Sequence, residues 1–196
     1  MLITNDFEVA QPVEKVWKFF GDIPQVAACL PGAELTEDLG GEKYKSRVAI
    51  RMGPVRLRFG GTAEIAERDE AAKRLVVNAA GAEEKGRGQA SMVVTATLAR
   101  SGRGTKVSVA QDLQLSGAAA QYGRGMISDV SSVLMRDFAT TMQDRIERIE
   151  RGESAEQVAA AGSSPASGLA LGLRAAVMAL SRVFRRFFVP YRAPAS

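Results

Sequence analysis

From Lys43 to Phe59 the chain alternates with a period of two, and this run limits the fold more than any other feature. Tyr44, Ser46, Val48, Ile50 and Met52 share one face, while Lys43, Lys45, Arg47 and Arg51 mark the other. Val55, Leu57 and Phe59 then return to the first face, opposed by Arg56 and Arg58. Successive strand side chains point to opposite sides, so the run predicts a long hairpin with one dry face. Gly53-Pro54 is its expected turn, and Gly60-Gly61 an expected bulge or sharp bend. Further strands are expected at about 73–82, 87–100 and 104–116. The last two carry the apolar sets Ala90, Met92, Val94, Ala96, Leu98 and Val107, Val109, Leu113, Leu115.

Upstream, "LITNDFEVA" alternates well enough for a first strand. Pro12 then opens a helix in which Val13, Val16, Trp17 and Phe20 recur at helical spacing. "IPQVAACLPG" predicts a second short helix, ended by the breaker pair Pro31-Gly32. A sheet with one dry face needs a cover. The stretch from Met126 to Glu150 supplies it, with Ile127, Val130, Leu134, Phe138, Thr141 and Ile149 as its stripe. The expected class is α+β, in the order β-α-α-β(6)-α: a bent antiparallel sheet of about seven strands wrapped around a long C-terminal helix. Many inward residues are small or flexible, Ala63, Ala90, Ala96, Met52 and Met92 among them. That leaves room for a cavity lined by Met52, Phe59, Met92, Gln111, Leu115 and Met126; plain core packing explains the same residues.

Charge divides the chain. Of its 26 basic residues, five arginines (174, 182, 185, 186, 192) follow Glu156, the last acid. Residues 1–156 therefore hold 21 basic residues against all 22 acidic ones, a net −1. A basic footprint for nucleic acid across the body is not supported. The chain has no histidine and a single cysteine, Cys29. This excludes Ser-His and Cys-His catalysis, imidazole ligation and an internal disulfide, and it fits a reducing cytoplasm. Cys29 reads as a small core residue. The start of the chain shows no basic segment followed by an apolar one, so no signal peptide is expected.

Residues 152–168 lose periodicity and fill with Ala, Ser and Gly, which predicts a flexible linker between a domain at 1–151 and a tail at 169–192. On a helix, Leu169, Leu173, Val177, Leu180, Phe184, Phe187 and Phe188 fall on one arc. Arg174, Ser181, Arg182, Arg185 and Arg192 lie opposite, with Arg186 at the edge of the basic arc. The expectation is an amphipathic helix lying in a membrane interface, its rings among acyl chains and its arginines at anionic head groups. Docking on a partner helix, folding back onto the body, and disorder with non-specific nucleic-acid binding are the competing readings.

Three "GRG" stretches lack the third glycine of a dinucleotide fingerprint and the Lys-Ser/Thr of a phosphate loop, so they read as turns and a helix start. The pairs Glu64/Glu67, Asp69/Glu70 and Glu83/Glu84 read as solvated carboxylates at strand ends. Ser46 and Gln111 stand on otherwise apolar faces and must each find a partner, for which backbone is the first expectation.

The segments "FEVAQPVEKVWKFFGDIPQVAACLPGAEL", "GGEKYKSRVAIRMGPVRLRFGGTAEI" and "DLQLSGAAAQYGRGMI", together with "FATTM", resemble the G-subunit family of carbon monoxide dehydrogenase over about residues 1–150. Cys29 to Gly32 (CLPG) and Gly53-Pro54 are its most specific elements here. The resemblance implies the helix-grip fold of the SRPBCC or START-like superfamily, with a ligand-holding cavity and no catalysis of its own. It also implies an accessory role to a molybdenum hydroxylase of the carbon monoxide dehydrogenase type. On that expectation the protein recruits the enzyme to the inner face of the cell membrane, as a cytoplasmic, peripheral protein. It carries no covalent cofactor there, but holds an isoprenoid quinone that links the enzyme to respiration. The alternative is a cyclase- or hydrolase-like START-fold enzyme acting on an apolar substrate.

Overall fold

The computed structural model describes residues 1–52 and 55–153, the side chains of Met52 and Val55 excepted. Along the chain run β1 (Leu2–Val9), α1 (Val13–Phe20), α2 (Ile23–Cys29), β2 (Ala33–Gly40), β3 (Lys43–Met52) and β4 (Val55–Asp69). They are followed by β5 (Arg74–Glu83), β6 (Gln89–Ser101), β7 (Gly104–Leu115), a short 3-10 turn at Gly117–Gln121 and α3 (Arg124–Glu150). The strands form one antiparallel sheet in the order β1-β7-β6-β5-β4-β3-β2. The expected α+β architecture, seven strands gripping a C-terminal helix, is thus the observed one. The Gly53-Pro54 turn, nearly all of the expected linker, and the tail lie outside the described residues. With the tail go Leu173, Val177, Leu180, Arg182, Phe184, Arg185, Arg186, Phe187 and Phe188.

Local chemistry sets the two helices that interrupt the sheet. Pro12 caps α1 with φ −58° and lacks the N–H that a first turn leaves unpaired. The Asp22 carboxylate accepts the Gln25 backbone N–H at 3.1 Å and starts α2. Val16, Trp17, Phe19 and Phe20 are buried against Val9, Leu98, Val107 and Phe138 in the main core.

The alternation holds its register across the hairpins. Val48 pairs with Phe59 and Ser46 with Gly61; Gly61 in turn faces Gly81, and Gly81 faces Ala90. The register shift in β4 falls between Ile65 and Glu67, not at Gly60-Gly61. Gly61 instead marks a close approach of two backbones. A Cβ there would lie 1.9 Å from the Ala80 carbonyl oxygen and 2.5 Å from the Gly81 Cα.

On α3 the buried residues are Ile127, Val130, Ser131, Val133, Phe138, Met142, Arg145 and Ile146, whereas Ile149 is 38% exposed. The stripe therefore shifts in the last turns. Arg145 replaces part of it: its guanidinium donates to Gln25 Oε1 at 3.0 Å and to the Ala28 carbonyl at 3.3 Å, tying α3 to α2. Phe138 meets Phe7 and Phe20 edge-on, with ring centres 5.9 and 6.3 Å away. Cys29 is 2% exposed and burial pushes its thiol up to about 12, as befits a core residue.

Candidate functional site

The core is divided. One cluster joins α1, α2 and the middle of α3 to β1, β6 and β7. A second gathers Leu57, Ala119 and Val130, with half-buried Ile50, Phe59, Leu115, Tyr122 and Leu134 around them. Between them the inward face carries Ser46, Gly61, Ala63, Ala79, Gly81, Ala90 and Met92. All are only half-buried although β4, β5 and β6 are interior strands of the sheet. Side chains this small do not reach α3, which packs against β1, α1 and α2. This part of the inward face is therefore only half-covered, with small side chains along it.

Gln111 stands on this inward face, 8% exposed. Its Oε1 accepts from the Ser131 hydroxyl at 3.1 Å, and that hydroxyl accepts from Asn5 Nδ2 at 3.1 Å. Asn5 Oδ1 in turn accepts from Ser132 Oγ at 3.2 Å. The partner is thus a side chain of α3 and not the expected backbone. The Gln111 Nε2 group makes no hydrogen bond to the described residues, so its two N–H donors stay available to solvent or a ligand. Asn5 and Ser132 also line a hollow of about 460 Å³ between β1 and α3, with Phe7, Met135 and Gln143. Nothing in the pattern of α3 singles out Ser131 and Ser132. The legible signal is Asn5, a polar residue at an inward position of β1 between Ile3 and Phe7.

The other expected lining residues fall in different places. Phe59 and Leu115 belong to the second cluster, and Met92 lies half-buried on the inward face. Met126 is 44% exposed at the first turn of α3. Met52 closes β3, its side chain outside the described residues.

Glu83 departs from the expected solvated carboxylate. It is buried on the inward face opposite Phe59, accepts the backbone N–H of Lys85 at 2.8 Å and of Arg87 at 3.3 Å, and takes a 2.7 Å bond from the Arg87 guanidinium. Arg87 holds its carboxyl far below the usual range, at about 2. It stays ionised and closes the β5–β6 turn. Glu84 beside it is exposed and pairs with Arg47 at 3.1 Å.

At the far end of the inward face a hollow of about 740 Å³ opens between α1, the start of α2, strands β3 and β4 and the turn after β4. Trp17 donates its indole N–H to Glu70 there, and Arg68 bonds Glu42 at 2.5 Å and the Gly21 carbonyl at 3.4 Å. Burial pushes the Tyr44 phenol up, reinforced by Asp38 and Glu42. This hollow is polar and shares none of the expected lining residues. Among the described residues no group of three metal-ligating side chains occurs, and no helix is long and apolar enough to cross a membrane.

A bent seven-stranded antiparallel sheet around one long helix defines a helix-grip, START-like domain. Solved structures share it. A conserved protein from Geobacillus kaustophilus has a TM-score of 0.67 at 21% identity, over 76% of this chain and 96% of that one. The Zhui aromatase/cyclase from Streptomyces sp. R1128 gives 0.55 at 15%, covering 79% and 97%. Mll3558 from Rhizobium loti gives 0.53 at 19%, covering 71% and 95%. At these identities the likeness establishes the fold alone. No curated protein matches the chain. The model of the carbon monoxide dehydrogenase G-subunit (CoxG) family matches residues 6–147, and the chain belongs to that family.

Proposed function

We propose that this protein is a non-enzymatic accessory protein. It recruits a molybdenum hydroxylase of the carbon monoxide dehydrogenase type to the inner face of the membrane. In its groove it carries a quinone or a similar apolar lipid that receives the enzyme's electrons. The observation that carries the ligand reading is the half-buried row Ser46, Gly61, Ala63, Ala79, Gly81 and Met92 beside the free Gln111 amide donor. An isoprenoid quinone needs an apolar slot and one or two donors for its carbonyl oxygens, and these residues fit both needs. Family membership supports the enzyme partner, and the basic amphipathic pattern of residues 169–192 supports the membrane.

A cyclase- or hydrolase-like activity is the competing reading, since the Streptomyces aromatase/cyclase has a similar fold. Glu83, the buried inward carboxylate, argues against it. Locked to Arg87 and ionised down to about pH 2, it is a poor proton donor or acceptor near neutrality.

Recruitment is tested by flotation of anionic vesicles with the purified hydroxylase. Full-length protein carries the enzyme to the vesicles, and a chain truncated after Ser164 binds enzyme but leaves it in solution. Replacing Phe184, Phe187 and Phe188 by Ser weakens binding to all vesicles. Replacing Arg182, Arg185 and Arg186 by Gln weakens it mainly on anionic ones. Equal flotation of full-length and truncated protein, or no enzyme bound by either, contradicts the reading.

A further inference from the structure

The body's near-neutral charge hides a polarised surface. One end of the sheet gathers the end of β3, the start of β4, the turn after β5, the 3-10 turn and the first turn of α3. Bonds between elements join them into one rim: Arg87 donates to the Arg56 carbonyl at 3.0 Å, Glu84 N–H to the Arg58 carbonyl at 2.8 Å, and Ala118 N–H to the Arg87 carbonyl at 2.7 Å. Exposed Arg56, Arg58, Lys85 and Arg124 stand on this rim. Among the described residues none of the four lies within ion-pair distance of a carboxylate. The rim's own acids are engaged: Glu83 by Arg87, Glu84 by Arg47, and Asp129 on α3 also has a partner.

Two features work against stability unless an anion arrives. Arg51 and Arg56 are direct cross-strand partners, and like charges placed opposite one another destabilise a hairpin. Arg124 is the first residue of the 27-residue α3, whose first turn holds no acid and whose N-cap, Gly123, makes no side-chain cap. A cation at that position adds to the positive end of the helix dipole. Beside these charges Met126 is exposed, with half-buried Tyr122 and Leu115 behind it.

We propose that this rim is a second membrane contact, a docking face for an anionic phospholipid surface. Exposed cations gathered at one end of the sheet, with an exposed apolar side chain at the start of α3 at the same end, suit a plane of head groups over acyl chains. Such a contact rests on the reading that the chain works at a membrane, and it is independent of the tail. The α3 helix is about 40 Å long and ends at the opposite end of the molecule, where Lys15 and Gln11 reach Glu150. A tail departing there gives no reason for the rim to face lipid.

The test uses the full-length chain and vesicles of phosphatidylcholine with or without phosphatidylglycerol. The variant Arg56→Gln/Arg58→Gln/Lys85→Gln changes exposed side chains only and is checked by its melting curve. It loses affinity for the anionic vesicles about fivefold per charge, on the order of 100-fold in all, and Arg56→Lys/Arg58→Lys retains binding. A fluorophore on Gln121→Cys is quenched by a lipid-borne quencher, while one on Arg103→Cys, at the other end, is not. Cys29, buried and with its thiol pushed up to about 12, does not compete for the label. If wild type and triple variant bind alike and Gln121→Cys stays unquenched, the rim does not dock and the tail alone anchors the protein. If wild type itself ignores both vesicle types, the membrane reading falls together with the rim. If the triple variant keeps vesicle binding but loses the hydroxylase, the rim serves an acidic protein surface and the proposal is overturned.

Discussion

The amide of Gln111 is satisfied on one side only, and that asymmetry makes it the residue where ligand and stability effects part. In Gln111→Leu, Ser131 loses one partner, so the unfolding free energy falls by about 1–2 kcal/mol. Ligand retained through purification falls severalfold. A loss of stability without a loss of ligand assigns Gln111 to the core alone. Glu83 gives a pH signature. Its folded-state pKa of about 2 lies below the ordinary 4.5, so its stabilisation is fully present above pH 4.5 and is lost as the pH falls toward 2. Urea unfolding of wild type between pH 7 and pH 2.5 shows that loss. Glu83→Gln is less stable at pH 7 and flatter across the acid range. Gln111 is legible as an inward polar residue from alternation, but the Ser131 side of its network is not. Which face of α3 meets β1 depends on tertiary packing. Glu83 misleads because a residue at a strand end is usually solvated, and only the fold-back of Arg87 over it reverses that.

At the scale of elements, periodicity carries the fold. The switch from a period of two over Lys43–Phe59 to a helical period after Met126 sets the hairpin, the sheet's dry face and its cover, and the inward strand residues whose side chains are described keep their expected side. What periodicity does not supply is the spacing of elements. Gly60 and Gly61 look alike in the sequence, yet a Cβ on Gly60 meets nothing within 4 Å, whereas one on Gly61 would collide with the Ala80 carbonyl. Gly61→Ala is therefore expected to destabilise by about 1–3 kcal/mol, with Gly60→Ala changing stability by well under half as much. Thermal melts of the two variants decide it. Equal effects would show that β4 and β5 do not approach as closely as described. The stripe on α3 likewise fails at Ile149, because Arg145 turns inward to serve α2 and the apolar face moves to Met142 and Ile146.

For the whole molecule, the proposed function joins a ligand groove, a partner enzyme and a membrane in one chain. The fold and the family stand on the architecture and on the match over residues 6–147. The ligand is the claim on which the rest of the mechanism depends, since a recruiter without a carrier would only tether its enzyme. Half-buried Ala90, facing Gly81 and Leu115 on the inward side, is the place to close the groove with least disturbance elsewhere. The decisive measurement is mass spectrometry of an organic-solvent extract from protein purified out of its native membranes. Wild type is predicted to release an isoprenoid quinone or similar apolar lipid, unmodified and in near-stoichiometric amount. Folded Ala90→Trp is predicted to release little. An extract of wild type holding no apolar molecule above the level of Ala90→Trp, or holding a chemically converted product, would contradict the carrier role.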